Sequence, residues 1–421
     1  MHRLVPLLAA FVVLLAAGCA PKAAAPAQAT GSATPASAEG SSEPAGRLRT
    51  LSFQKNSEML ASPTGYGGSV PRQRAEMIPL LGAVYKGSPF SEDYREDRGH
   101  SWSWDDLVAS KRVTAKTPAS CITCKTPDIA AIFASEGWAY ARKPLSAYTA
   151  ETHPAISCES CHDPSTYALR VVQPGFRDAA RRGGIDLDKA PRSAMMSYVC
   201  AQCHAEYYFE PGTSRVVLPW DRGTTPQAIY GYYASKPGGF EADYRNPDSG
   251  VALLKAQHPD YEAWAGGVHA AAGVACATCH MPKVTEEGVT ATSHWVTSPL
   301  QRIGQVCLPC HRGKTEEWML KRVRYIQDSV FSLQQAGAQA LVRGHEAISG
   351  AASAGAGDAA LAPAREALRK AQWYWDFAAS ENSTGFHDPV LMQNILGQAI
   401  GLAGDALRLA WRAAGRPVGA P

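Results

Sequence analysis

Cys121-Ile122-Thr123-Cys124-Lys125 decides how the rest of the chain is read. Two cysteines three apart share one face of a helical turn, and the residue after them projects beside that face. The same C-x-x-C spacing returns at Cys158/Cys161, Cys200/Cys203, Cys276/Cys279 and Cys307/Cys310, each time followed by histidine: His162, His204, His280 and His311. Ten of the eleven cysteines are thereby consumed. On such a turn the sulfurs reach the two vinyl groups of a haem as thioethers while the following nitrogen faces the iron. Each pair therefore predicts one covalently attached haem c, five in all. Zinc sites use two pairs for one tetrahedral set and would strand the fifth. A thioredoxin-like redox motif needs a βαβ setting, and disulfides give no reason for a fixed histidine after the pair.

The chain has twelve histidines. Four follow the cysteine pairs and His2 lies in the leader, which leaves His100, His153, His258, His269, His294, His345 and His387. A haem that only passes electrons takes a second strong ligand, whereas one that binds a substrate keeps a face open. The Lys125 haem is the exception. An amine must be neutral to bind iron, and taking a lysine pKa from ~10.4 to below 7 costs about 4–5 kcal/mol, which burial and the metal bond must supply. Such a cost marks out one haem for a task that the other four do not share.

The motif with lysine, followed by four C-x-x-C-H sites in this order and spacing, resembles the pentahaem cytochrome c nitrite reductases, the ammonia-forming family. Local matches extend the resemblance: Arg98-Gly99-His100, Cys203-His204-Ala205-Glu206-Tyr207-Tyr208-Phe209, Leu254-Lys255-Ala256-Gln257-His258-Pro259, Cys279-His280-Met281-Pro282-Lys283-Val284 and Ala371-Gln372-Trp373-Tyr374-Trp375-Asp376. Together they cover roughly residues 50 to 415 in one collinear order.

The resemblance implies a catalytic haem bound through Cys121, Cys124 and Lys125, with Arg112, Tyr207 and His258 over its open face. It implies distal ligands His100, His269, His294 and His387 for the haems of Cys200/Cys203, Cys307/Cys310, Cys158/Cys161 and Cys276/Cys279 respectively. His153 and His345 are left without roles. One calcium ion would be held by the Glu206 carboxylate, the Tyr207 and Lys255 carbonyls and the Gln257 side chain, an all-oxygen set suited to a hard cation. Nitrite would be the substrate, with Arg112 drawing in the anion, His258 donating protons and Tyr207 assisting. The implied assembly is a homodimer fed by a quinol-linked multihaem cytochrome. Two alternatives stand beside this: a pure electron-transfer multihaem cytochrome, and a related reductase acting on hydroxylamine or sulfite.

Composition agrees with a folded redox protein. Hydrophobic residues make up 45% and charged residues 19% of 421, enough for a buried core. A net charge of +3 is too mild for a protein whose main partner is nucleic acid. His2 and Arg3 precede an apolar run from Leu4 to Ala17 that ends at Ala16-Ala17-Gly18-Cys19 and resembles a bacterial lipoprotein box. Residues 1–18 are read as a signal peptide with Cys19 lipidated, an ordinary secretory signal being the alternative, and 19–47 as a flexible Ala/Pro/Ser tether. The body would then sit on the periplasmic side, held to a membrane by its lipid anchor. The expected fold is mainly α. Short helices and loops surround five haems in a pentahaem catalytic region, 48–313, and long helices follow in a C-terminal region, 314–421, that the resemblance makes the dimer interface. Hydrophobic spacing predicts those helices over Glu316 to His345, Pro363 to Ala379 and Val390 to Ala413, with a break at Gly350 to Gly357.

Overall fold

Past the last cysteine motif the hydrophobic period is helical, and three long helices form there: α1, Glu316–Ser353; α2, Asp358–Ser380; and α3, Pro389–Ala413. The computed structural model describes residues 74–95, 99–235, 240–286 and 288–416. These belong to a unit spanning Arg47–Pro421. The signal peptide, Cys19, the tether and residues 48–73, together with Arg98, lie outside the described residues.

Two of the three long helices, α1 and α3, start on a side-chain cap. Thr315 caps α1 by accepting from the Trp318 N–H, and Glu316 and Glu317 lie in the first turn, where the helix dipole favours negative charge. Asp388 caps α3 in the same way through the Leu391 N–H, with Pro389 at the first position. Two boundaries differ from expectation. α1 continues eight residues past His345, through Gly350, because Ile348 and Ala351 prolong its buried stripe and packing outweighs glycine's poor propensity. α2 begins at Asp358, so Pro363 lies inside it and not at its start. Its missing N–H leaves the Ala359 carbonyl without its ladder donor, so one bond is lost in the second turn of the helix.

α1 and α2 approach closely at two glycines seven residues apart on one face of α1. A Cβ on Gly337 would meet Trp375 Cδ1 at 2.6 Å, and one on Gly344 would meet Leu368 Cδ1 at 2.7 Å. The space they leave lets α2 sink between its neighbours, and every residue from Ala371 to Ser380 is buried. A helix apolar on all sides belongs at the centre of a core.

The cysteine-bearing region is built from short helices and three two-stranded antiparallel hairpins: Tyr208–Phe209 with Val216–Val217, Tyr244–Arg245 with Ala252–Leu253, and Lys283–Glu286 with Val289–Thr292. Its apolar residues do not merge into one core. One cluster joins residues 78–85 and 208–263 to the long helices, and two smaller ones sit around the first and third cysteine motifs.

The buried face of α2 grips the cysteine-bearing region by polar contacts. Gln372 donates to Val84 O at 2.9 Å and accepts from His345, whose other nitrogen bonds Ser249 at 2.7 Å. His345 is thus a core residue, kept neutral by burial. Asp376 accepts from Lys255 Nζ at 2.9 Å, from the Ala256 N–H at 2.9 Å and from the Tyr85 hydroxyl. The ammonium also lies 4.9–5.2 Å from the ring centres of Tyr85, Phe90 and Tyr94. Removing one partner of such a pair strands a buried charge. Asp376→Ala is expected to lower the unfolding free energy by about 3–5 kcal/mol, while Lys255→Met with Asp376→Leu costs far less. Urea unfolding followed by far-UV circular dichroism measures both.

Candidate active site

The first cysteine motif forms a 3-10 turn, Ala119–Cys124, capped by Lys125. Ile122 and Thr123 turn inward and are buried, while Cys121 and Cys124 stay partly open on the other face. Thr123 Oγ1 bonds the Tyr140 hydroxyl at 2.6 Å, which anchors the inward side. The Lys125 carbonyl accepts from Ser103 Oγ at 2.8 Å, and Ser103 Oγ in turn accepts from the Ile156 N–H at 3.0 Å. Ser103 therefore ties the first motif to the segment leading into the second.

Arg112 and Tyr207 share this neighbourhood. The Cys121 thiol is pushed up to about 11 by burial, against the pull of Arg112 and Lys125. Burial likewise pushes the Tyr207 hydroxyl well above its usual range; Cys124 and Cys121 add to the rise and Arg112 opposes it. The Arg112 guanidinium carbon sits 4.3 Å from the centre of the Phe90 ring, and its Nε is buried with no hydrogen-bond partner. An orphaned guanidinium donor beside a phenol is a ready anion contact.

His258 reaches this group through its chain neighbour. The Gln257 N–H donates to Glu206 Oε2 at 2.6 Å, which joins the two dipeptides that carry Tyr207 and His258. The His258 ring is engaged at both ends, with Nδ1 3.2 Å from Cys203 O and Nε2 2.7 Å from Asn382 Nδ2. Asn382 Nδ2 also donates to Asp260 Oδ2 at 2.8 Å, and the same oxygen lies 3.1 Å from His204 Nδ1. Burial raises the Asp260 carboxyl, but His258, His204 and His387 together outweigh it and hold the group well below the usual carboxylate range.

The remaining motif histidines each have a second imidazole close by. Ring centres are 6.2 Å apart for His100 and His204, 6.2 Å for His162 and His294, 6.3 Å for His269 and His311, and 6.4 Å for His280 and His387. Two imidazoles sharing one metal, each with its nitrogen about 2.0 Å from the ion and about 1.15 Å from its own ring centre, have centroids about 6.3 Å apart. Four pairs of residues thus fit four six-coordinate irons. His153 stands aside, bonded to Asp128 at 2.8 Å.

The motifs also touch one another. Cys124 lies close enough to Cys203 for each to shift the other's titration, and the same holds for Cys200 and Cys276. Cys161 is felt electrostatically by Cys200 and Cys203, and Cys307 by Cys279. The third motif is the junction, adjacent to the first, second and fourth, and the fifth follows the fourth.

Cys310 lies at the edge of the cysteine-bearing region. It is exposed, as is Cys158, whereas the other eight motif cysteines are partly covered. The reason is position: the fifth motif ends that region, and every residue from Pro309 to Trp318 is exposed as the chain runs out to α1. The local turn forms all the same, with the His311 N–H donating to Cys307 O at 2.9 Å, and Cys279 feels both Cys307 and Cys310. As a haem attachment point Cys310 is therefore supported by its motif and its neighbours, not by burial.

Glu206 is buried, with its carboxyl raised well above the usual range by burial; Glu262 and Asp243 add to the rise, while Lys255 opposes it. Gln257 Nε2 lies 3.3 Å from the Lys255 carbonyl. Turning that amide over would put two oxygens at the separation of neighbouring ligands in an octahedron with bonds of about 2.4 Å. With the buried Glu206 carboxylate accepting from the Gln257 N–H beside them, these groups make an oxygen-rich setting of the kind a hard cation takes. Sequence reasoning missed Asp260, Asn382, Ser103 and Glu262. Asp260 had a local signal, two residues after His258, but nothing local ties residue 382 to residue 258.

A family model for cytochrome c552 matches residues 49–419. The cytochrome c nitrite reductase subunit NrfA of Nitratidesulfovibrio vulgaris is 35% identical over 402 residues, 86% of this chain and 76% of that one. Cytochrome c-552 of Bacteroides fragilis is 37% identical over 339 residues, 79% and 67% of the two chains. The solved cytochrome c nitrite reductase of Desulfovibrio desulfuricans, whose catalytic subunit NrfA has two calcium sites, superposes with a TM-score of 0.81 at 33% identity, covering 88% of this chain and 85% of that one.

Glu262 gives a pH prediction. Its Oε1 accepts from the Glu206 N–H and from Trp220 Nε1, its Oε2 is buried without a partner, and burial raises the carboxyl to about 8. The folded state then keeps a proton that the unfolded state sheds near pH ~4.3, so stability present below that pH is lost as pH rises toward 8, at up to about 1.4 kcal/mol per unit. Glu262→Gln should flatten that slope in urea titrations at pH 5, 6, 7 and 8.

Proposed function

The chain belongs to the cytochrome c552 family, and from that premise we propose that it is an ammonia-forming cytochrome c nitrite reductase that works at a lysine-ligated haem fed by four bis-histidine haems. The carrying observation is the contrast among its five motifs. Four motif histidines have an imidazole partner at 6.2–6.4 Å. The motif with Lys125 has instead the Arg112 guanidinium, with an unpaired buried donor, and the Tyr207 phenol. That asymmetry favours an enzyme over a pure electron carrier, in which all five motifs would be closed alike.

Cys121 and Cys124 would hold the catalytic haem c with Lys125 as its proximal ligand. The four histidine pairs would hold the rest through Cys158/Cys161, Cys200/Cys203, Cys276/Cys279 and Cys307/Cys310. When bound, haem c supplies the redox chemistry for NO2− + 8 H+ + 6 e− → NH4+ + 2 H2O. Arg112 draws in and orients the anion, donating from the Nε that has no protein acceptor. Tyr207, whose hydroxyl burial keeps protonated, donates beside it. His258 is the nearby group able to carry protons to the pocket, once its Nε2 exchanges Asn382 for the substrate. Calcium at Glu206, Tyr207, Lys255 and Gln257 would ionise the buried Glu206 carboxyl and stiffen the two dipeptides that carry Tyr207 and His258.

The wider assembly follows the family. Trp318 and Tyr325 are exposed seven residues apart on one face of α1, which supports a homodimer contact there. Among the described residues no helix is long and apolar enough to cross a membrane. A lipid on Cys19 would hold the enzyme at the periplasmic face of a membrane, beside a quinol-linked multihaem cytochrome donor.

The direct test is to count electrons from a reduced dye against ammonium formed by the five-haem protein; six per ammonium is expected, and turnover releasing nitric oxide or none at all would refute the reading. Arg112→Leu should raise KM for nitrite about 10- to 100-fold, with all haems retained. Lys125→His should keep the haem attached but change its spin state and turnover. Chelation should remove calcium more easily as pH falls, with proton uptake on release, measurable by calorimetry in two buffers of different ionisation enthalpy.

A further inference from the structure

Asp260 stands where three of the groups described above meet. Its Oδ2 is 3.1 Å from His204 Nδ1, 3.3 Å from His258 Nε2 and 2.8 Å from Asn382 Nδ2, and its Oδ1 accepts the Asn382 N–H at 2.6 Å. The carboxylate is nearly inaccessible, with 7% of the residue exposed. Arg74 Nη2 donates to Asn382 Oδ1 at 3.0 Å, so the amide is oriented from both sides. Its NH2 must then face Asp260 and His258, whose ring is held between this amide at Nε2 and Cys203 O at Nδ1.

Two other motif histidines, His162 and His280, are backed by carbonyls. His162 Nδ1 bonds the Tyr167 carbonyl at 2.8 Å and His280 Nδ1 the Thr297 carbonyl at 3.0 Å; the distal His294 uses the Thr292 carbonyl at 3.1 Å. His387 has Glu381 Oε2 at 3.5 Å, beyond hydrogen-bond geometry. Of these rings His204 has the carboxylate nearest its Nδ1, at 3.1 Å against 3.5 Å for His387. A full negative charge there gives the ring more imidazolate character than a carbonyl does, which favours ferric over ferrous iron. The motif concerned is the junction of the chain of motifs.

We propose that Asp260 is a positioning residue shared by two centres: it sets the donor strength of the His204 imidazole at the junction haem and, through Asn382, the orientation of the His258 ring at the active site. The proposal rests on the haem assignment above. Its partners separate the two effects. Asn382→Ala removes the Nδ2 donor to His258 and to Asp260 Oδ2, but keeps the backbone N–H to Oδ1 and the carboxylate beside His204.

The experiment compares Asp260→Asn, Asp260→Glu and Asn382→Ala in protein shown to carry five haems per chain; fewer haems in the unsubstituted protein would sink the haem assignment before this proposal is reached. Redox titration monitored by electron paramagnetic resonance follows each low-spin ferric signal without any nitrite. Asp260→Asn should raise one low-spin potential so that the ferric-to-ferrous ratio at fixed poise falls about tenfold, equivalent to 59 mV for one electron. It should also lower kcat, and Asp260→Glu should recover most of both. Asn382→Ala should lower kcat about tenfold, leaving KM and every potential in place. The proposal is overturned if no low-spin potential moves in Asp260→Asn, or if Asn382→Ala moves a potential as far. If Asp260→Asn fails to assemble, Asn382→Ala decides: unchanged kcat counts against the proposal and a kcat loss at constant potentials supports it.

Discussion

An iron held from both faces imposes one distance on two side chains that have no other reason to meet. The chain satisfies that distance four times, with ring centres between 6.2 and 6.4 Å. Neighbouring structure is subordinate to it. The two smaller apolar clusters stay separate and the cysteine motifs sit open or partly open between and beyond them, an arrangement that lets large flat apolar cofactors complete the interior. A region with so few long elements of its own depends on such cofactors for much of its packing.

The α-helical C-terminus supplies the stiffness that the cysteine-bearing region lacks. α2 is buried on all sides over its last ten residues, and Gln372 and Asp376 reach from it to Val84, Tyr244, Lys255 and Ala256. The segment running from Lys255 to His258 is thereby fixed at one end by the Asp376 cluster and at the other by Asp260 and Asn382. Both fixtures are buried and polar, so they specify one arrangement more strongly than apolar packing would.

Chemistry carried by contiguous residues was legible in the sequence. C-x-x-C-H and C-x-x-C-K are local, since the turn, the two sulfurs and the axial nitrogen lie within five residues, and helix period with capping residues located the long helices to within a few positions except at Pro363 and Gly350. How far each motif is covered was not legible: Cys310 and Cys200 share one spacing, yet the first is exposed and the second partly covered, because cover comes from elements distant in the chain. The ligand pairs were not legible from spacing either, because any of seven histidines could have faced any iron; a family resemblance supplied the pairing. Asp260 and Asn382 show the limit more sharply. Their contact with His258 joins positions up to 124 residues apart through a single amide, and no periodicity or composition records a bond of that kind.

The pairing of the histidines also has a direction in time. His100 precedes His204 and His269 precedes His311, whereas His294 follows His162 and His387 follows His280. In the proposed ligand scheme, a chain threading out of a membrane from its N-terminus presents two of its irons with both axial partners already delivered. The other two wait half-ligated until more polypeptide emerges, and the last of them until α2 has passed. Apparatus that attaches the porphyrins must therefore tolerate, or shield, metal centres left uncapped on one side during biogenesis.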